Sequence, residues 1–307
     1  MKRNKKLFLA WAVFLVVAFL FVVLIEMYHY FNNERPSDYQ CRILINKDSE
    51  IIESIEVFDL IQREKTNVDA KFYEKTKYGD LPKISSDGAS VFDEYSSCLE
   101  ISSKKELRIA VLVNDGSKVN AYLKLNNQRV TFILPHYLDK LKNVVEAIKK
   151  NGHEFFIQMP TQSSVLLVSA DKNGAISPFL ANANIEDTLD NLLHLLGSTK
   201  YALGIANVSP TLFTKSEKNM TVVAHELLKR GLAFLNFEKS DDLVRNIARK
   251  SGLIYINATT MFEANNFDAS KLKNGDILII NLEQLDNFMK VLPSDWLLTP
   301  ISASVRR

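Results

Sequence analysis

Cysteine is almost missing from this chain: Cys41 and Cys98 are the only two in 307 residues. Two thiols with no clustered histidine cannot make a zinc site of the usual four-ligand kind. Glycine (10) and proline (8) are too scarce for a collagen-like or low-complexity chain. Several catalytic signatures are also absent: no G-x-S-x-G elbow, no P-loop lysine motif and no G-x-G-x-x-G occurs. Of the five histidines, His225 stands beside Glu226, but Lys229 occupies the place where a metalloprotease helix needs its second histidine. A basic stripe is lacking too. Lys2, Arg3, Lys5 and Lys6 take four of the 38 basic residues, which leaves 34 against 36 acidic ones in the rest of the chain. A nucleic-acid binder needs an excess of positive charge in its folded part, so that class is excluded.

What the sequence does have is one long apolar run. From Leu7 to Ile25 nineteen residues carry no charge, glycine or proline. As a helix this run is roughly 28 Å long, close to the ~30 Å hydrocarbon core of a bilayer. The cations before it stay on the cytoplasmic side, and Tyr28 and Tyr30 after it suit the aromatic interface. A cleaved signal peptide is the competing reading. It calls for a shorter apolar stretch and small residues at a cleavage site, whereas the run here leads into Glu26-Met27-Tyr28-His29-Tyr30. The expectation is a basic tail (1–6), a single-pass anchor (7–26) in the inner (cytoplasmic) membrane, and the remaining chain in the periplasm. Cys41 and Cys98 would then lie in an oxidising compartment, either as a disulfide or as two free thiols.

Residues 27–106 read as a juxtamembrane connector. Apolar residues at helical spacing mark 50–63, and 64–106 is polar and glycine-interrupted, which predicts loop. From 107 to 307 short apolar strands alternate with amphipathic helices. Strands are predicted at 108–113, 130–134, 154–158, 202–206, 232–235, 253–256, 276–280 and 296–301. Helices are predicted at 137–150, 185–196, 217–230, 241–250 and 282–290, with Gly152, Gly197 and Gly231 as stops. Alternation with short connections predicts an α/β fold with a parallel sheet, and the number of units favours a closed or nearly closed barrel over an open sheet.

Several segments in order carry a family resemblance: Arg108-Ile-Ala-Val-Leu-Val-Asn-Asp115, Val130-Thr-Phe-Ile-Leu-Pro135, Asn151-Gly-His-Glu-Phe-Phe-Ile-Gln-Met-Pro160, Gly204-Ile-Ala-Asn207, Phe213-Thr214, Arg230-Gly-Leu-Ala-Phe-Leu-Asn236 and Pro300-Ile-Ser-Ala-Ser304. The chain resembles the divergent polysaccharide deacetylases of the carbohydrate esterase superfamily, and Tyr78-Gly-Asp-Leu-Pro-Lys-Ile84 resembles a lead-in of some members. The resemblance implies a distorted (β/α) barrel, so the expected architecture is that barrel preceded by the transmembrane helix read from Leu7–Ile25. In active members it also implies a divalent metal held by one Asp and two His at strand ends, which activates a water for N-deacetylation.

Carried over position by position, that pattern degenerates here. Asn114-Asp115 replaces an Asp-Asp pair, Gln158 and Val208 stand where histidines belong, Asn236 replaces an Asp, and Asn281-Leu282 replaces a late histidine. Asp115 alone survives, and a lone carboxylate among amides does not hold zinc tightly. The candidate pocket is therefore Asn114, Asp115, Gln158, Asn207 and Asn236, with His136 as a possible addition. His153 falls at the wrong end of the barrel, and His194 and His225 lie within amphipathic helices. The sequence predicts a membrane-anchored, deacetylase-like protein that binds glycan or an envelope protein, with no metal and no catalysis. The rival is an active carbohydrate deacetylase or hydrolase carrying zinc.

Overall fold

The computed structural model describes residues 70–96, 104–123, 129–161, 176–209, 211–238, 242–258, 260–262 and 268–305. The chain divides into two compact units, Met1–Glu50 and Ile51–Arg307. The first lies wholly outside the described residues, and the strand–helix domain belongs to the second. The anchor at 7–26, the helix expected at 50–63, and both cysteines also lie outside the described residues. Among the described residues no helix is long and apolar enough to cross a membrane.

The polar stretch read as loop contains ordered structure. β1 (Tyr73–Thr76) and β2 (Gly79–Pro82) pair antiparallel, and α1 (Val91–Tyr95) comes next. Each strand has only four residues, too few for periodicity to show. The helix, at five residues, is set by its cap: Ser90 and Asp93 form a reciprocal capping box. This segment is part of the main domain. Tyr78 donates to Asp190, Lys200 pairs with Asp80, and the buried Arg230 reaches Glu226, Glu74 and the Pro82 carbonyl. Gly197 is needed where the hairpin meets its helix, since a Cβ there would sit 2.0 Å from the Tyr78 carbonyl oxygen.

The strand–helix series then runs β3 (Lys105–Leu112), α2 (Val119–Tyr122), β4 (Thr131–Pro135), α3 (Leu141–Lys150), β5 (Glu154–Gln158), α4 (Ile185–Gly197), β6 (Gly204–Asn207), α5 (Glu217–Lys229), β7 (Ala233–Asn236), α6 (Asp242–Ser251), β8 (Tyr255–Asn257), β9 (Thr260–Met261), β10 (Ile277–Asn281), α7 (Leu285–Val291) and β11 (Trp296–Thr299). A 3-10 turn, Ile301–Ser304, ends the series. The helix predicted from 137 begins at Leu141, because Lys140 takes a left-handed backbone (φ 53°) that a helix cannot contain. The strand predicted to 301 ends at Thr299, where Pro300 leads into the 3-10 turn.

All pairings in the large sheet are parallel, in the order β8-β7-β6-β5-β4-β3-β10-β9, with β11 beside the start of β3. Among the described residues, edge strands β8 and β9 do not pair with each other, so the sheet is a half-barrel rather than a closed one. It nevertheless curls around a common interior. Ile256 of β8 and Ile279 of β10, far apart in strand order, belong to one cluster with Ala110, Ile133, Phe156 and Leu235. A second, larger cluster joins the outer sheet face to the helices, for example Ile205 and Phe234 with Leu192, Leu227 and Val244.

The interior is plugged at the end where the strands begin. Phe92 of α1 and Ile301 of the 3-10 turn both join the interior cluster. Below them the buried Glu154 accepts from Thr131 Oγ1 (2.6 Å), Ser302 Oγ (2.6 Å) and the Ser302 amide (3.0 Å). These bonds satisfy a carboxylate that burial would otherwise penalise. The other end, where the strands finish, is the one at which barrels of this kind carry their sites.

Candidate functional site

Side chains alternate between the two faces of a strand, and the two clusters show which is which. Ala206, Leu235, Ile256 and Ile279 point into the barrel, whereas Ile205, Phe234 and Leu278 point to the helices. Ladder hydrogen bonds carry this alternation past the strand ends, through Val113, Met159, Phe237 and Ala258.

The five predicted site residues all lie at or just beyond strand C-termini, but they divide between the faces. Gln158 sits level with the inward Ala206, and Asn114 is two positions beyond the inward Leu112. Asn207 and Asn236 have the opposite parity and face the helix layer. Each is fully buried, they are directly in register, and Asn207 Nδ2 donates to Asn236 Oδ1 at 2.9 Å. Asn236 Nδ2 continues to the Tyr255 hydroxyl (3.3 Å), which also accepts from Asn257 Nδ2 (3.0 Å). These three amides form a ladder across β6, β7 and β8. It leaves the Asn207 and Asn257 carbonyl oxygens buried without a hydrogen-bond partner among the described residues. Beside it Glu238 accepts from Thr214 Oγ1 (3.2 Å) and pairs with Lys215 at 2.6 Å.

Asp115 acts locally. Its Oδ1 accepts from the Ser117 hydroxyl (2.7 Å) and the Ser117 amide (2.9 Å), and these bonds, the hydroxyl's first, hold its carboxyl below the usual range. His136 comes directly after β4, partly exposed, with its ring edge-on to Tyr137 at 5.3 Å. His153 lies at the start of β5, buried. Its Nδ1 accepts from the Val130 amide and its Nε2 lies 3.2 Å from the Leu123 carbonyl, so the proton belongs on Nε2. Burial pushes its pKa down to about 4.

The inward positions at the end where the strands finish are Leu112, Asn114, Gln158, Val208, Phe237 and Asn281, all at least partly exposed. One step deeper, Ala110, Phe156, Ala206, Leu235 and Ile279 are buried. Among the described residues, the strand ends thus set a rim of amides and hydrocarbon over a buried apolar floor, an arrangement called the cup. Unlike the ladder asparagines, Asn114, Gln158 and Asn281 have no side-chain hydrogen bond to other described residues. Phe237 and the Tyr255–Asn257 pair were not singled out from the sequence. Counting strand parity from Ala206 and Leu235 would have brought Phe237 forward, but which parity faces inward is set by long-range packing.

The donor set does not fit the metal that active deacetylases use. Such a site needs about three ligands with lone pairs directed at one point. The cup rim offers neutral amides and hydrocarbon, Asp115 is engaged by Ser117, and among the described residues no group of three His, Cys, Asp or Glu could hold an ion.

Comparison with known proteins bears on this geometry. The family model described as divergent polysaccharide deacetylase matches residues 112–275, just over half of the chain. The chain belongs to the divergent polysaccharide deacetylases. A similar fold is found in a crystal structure of an uncharacterized protein from Agrobacterium tumefaciens, which is 17% identical with a TM-score of 0.59 over 74% of this chain and 99% of that one. A family 4 carbohydrate esterase from Streptomyces lividans, solved with acetate, is 11% identical with a TM-score of 0.32 over 58% of this chain and 79% of that one, too loose to align a site. No curated protein matches the chain. In this member of the family, positions 114, 158 and 208, where the resemblance leads one to expect the ligands of active members, all have the inward parity and carry Asn, Gln and Val.

Proposed function

We propose that this divergent deacetylase is a glycan-binding relative that has given up metal-dependent deacetylation. It is held in the inner membrane by residues 7–25, with its barrel in the periplasm. One observation carries the reading: the inward strand-end positions present neutral amides where deacetylation needs metal ligands and a base. Amides both donate and accept, so they match sugar hydroxyls, and they neither activate water nor stabilise an oxyanion as a metal does. A protein component of the envelope is a second occupant the same cup could take. The test is release of acetate from N-acetylglucosamine oligomers by the full-length protein in detergent, alongside binding of the same oligomers. The expected result is saturable binding without acetate release. Acetate release that is lost in Asp115→Asn would establish an active hydrolase instead.

A further inference from the structure

The composition of the cup says more than that it lacks ligands. Among the described residues none of its inward-facing side chains is charged: Leu112, Asn114, Gln158, Val208, Phe237 and Asn281 form the accessible rim. The floor beneath is hydrocarbon from Phe156, Leu235 and Ile279. Among the described residues the charges closest in sequence are engaged: Asp115 by Ser117, Glu283 by Lys118 (3.8 Å), and Glu238, on the helix-facing side, by Thr214 and Lys215. We propose that the cup selects an uncharged sugar unit, acetylated or bare, and discriminates against amino sugars and uronic acids. This rests on the glycan-binding reading above and deepens it.

Desolvation is the source of the selectivity. An ammonium or carboxylate entering the cup gives up hydration and meets no counter-charge among the described inward side chains, which is the unfavourable half of burying an ion without its partner. A neutral hydroxyl or acetamido group loses less and recovers it from Asn114, Gln158 and Asn281, each able to donate and accept. Phe237, partly exposed on the same wall, supplies an apolar face for the C–H side of a pyranose ring. Ligand sites of this kind, mostly apolar with a few convergent polar groups, are the usual small-molecule architecture.

The experiment is equilibrium titration of the full-length protein in detergent with four short oligomers: N-acetylglucosamine, glucose, fully deacetylated glucosamine and galacturonate. The two neutral oligomers should bind, and the two charged ones should bind at least 10-fold more weakly. Phe237→Ala should weaken neutral binding by a similar factor with unchanged circular dichroism, and Gln158→Glu should shift preference towards the ammonium-bearing oligomer. Charged oligomers that bind as well as neutral ones would overturn the selectivity while leaving glycan binding standing, and an unaffected Phe237→Ala would overturn the cup as the place where the sugar sits. Binding of none of the four would overturn the glycan-binding reading and the selectivity with it.

Discussion

His153 gives the fold a measurable acid sensitivity. The imidazole is buried under Phe132, 5.4 Å away ring to ring, and bridges the Val130 amide to the Leu123 carbonyl. Burial, aided by Arg129, lowers its pKa from 6.5 to about 4. The folded state therefore binds the proton less readily than the unfolded chain. Stability from this residue is complete above pH 6.5 and is lost as pH falls towards 4. About 2.5 pKa units at 1.36 kcal/mol each give a total of about 3 kcal/mol. A soluble form beginning at residue 51 retains Trp296 as its sole tryptophan, and that ring is buried in the folded state. Urea unfolding monitored by its fluorescence, at pH 7 and near pH 4, measures the loss. Carboxylates titrate in the same range, so the decisive quantity is the difference from His153→Gln. That variant starts less stable at pH 7 but should lose about 3 kcal/mol less on acidification. Equal losses in the two proteins would refute the neutral, buried imidazole.

The packing and the sequence set three further outcomes. Arg230→Met strands the buried Glu226 carboxylate and frees the hairpin, so it should cost about 3–5 kcal/mol and speed tryptic cleavage around Lys77 and Lys83, as read by limited proteolysis. Phe92→Ala opens a void at the plugged end of the barrel and should cost about 3–5 kcal/mol in urea unfolding. A reporter active only in the periplasm, fused after Arg307 in a Gram-negative host, should be active, with the protein resisting alkaline extraction from membranes; a soluble form starting near residue 30 would point to a cleaved signal instead.

The alternation of strands and helices was legible because it is local. Helices 185–197 and 217–229 announce themselves by apolar spacing and closing residues, and buried parallel strands by short apolar runs. The hairpin at 73–82 was not legible. Its strands are four residues long and its partners, Asp190, Lys200 and Arg230, lie more than a hundred residues away. Openness of the sheet was equally hidden, since whether β8 meets β9 depends on curvature summed over the whole sheet. At the site, the strand ends were readable but their faces were not. Asn207 and Val208 are neighbours in sequence, yet one joins a buried amide ladder and the other lines the cup. Asn236 and Phe237 repeat that division one strand along.

A cup without metal chemistry is the central claim, and zinc stoichiometry of the wild-type protein tests it most directly. The full-length protein, purified in detergent, is incubated with zinc, desalted and analysed for metal by mass spectrometry. Far less than one zinc per chain is expected, with the same value for Asp115→Asn. One tightly held zinc per chain, lost in Asp115→Asn, would contradict that claim and make the chain an enzyme with unconventional ligands, His136 being the first to examine.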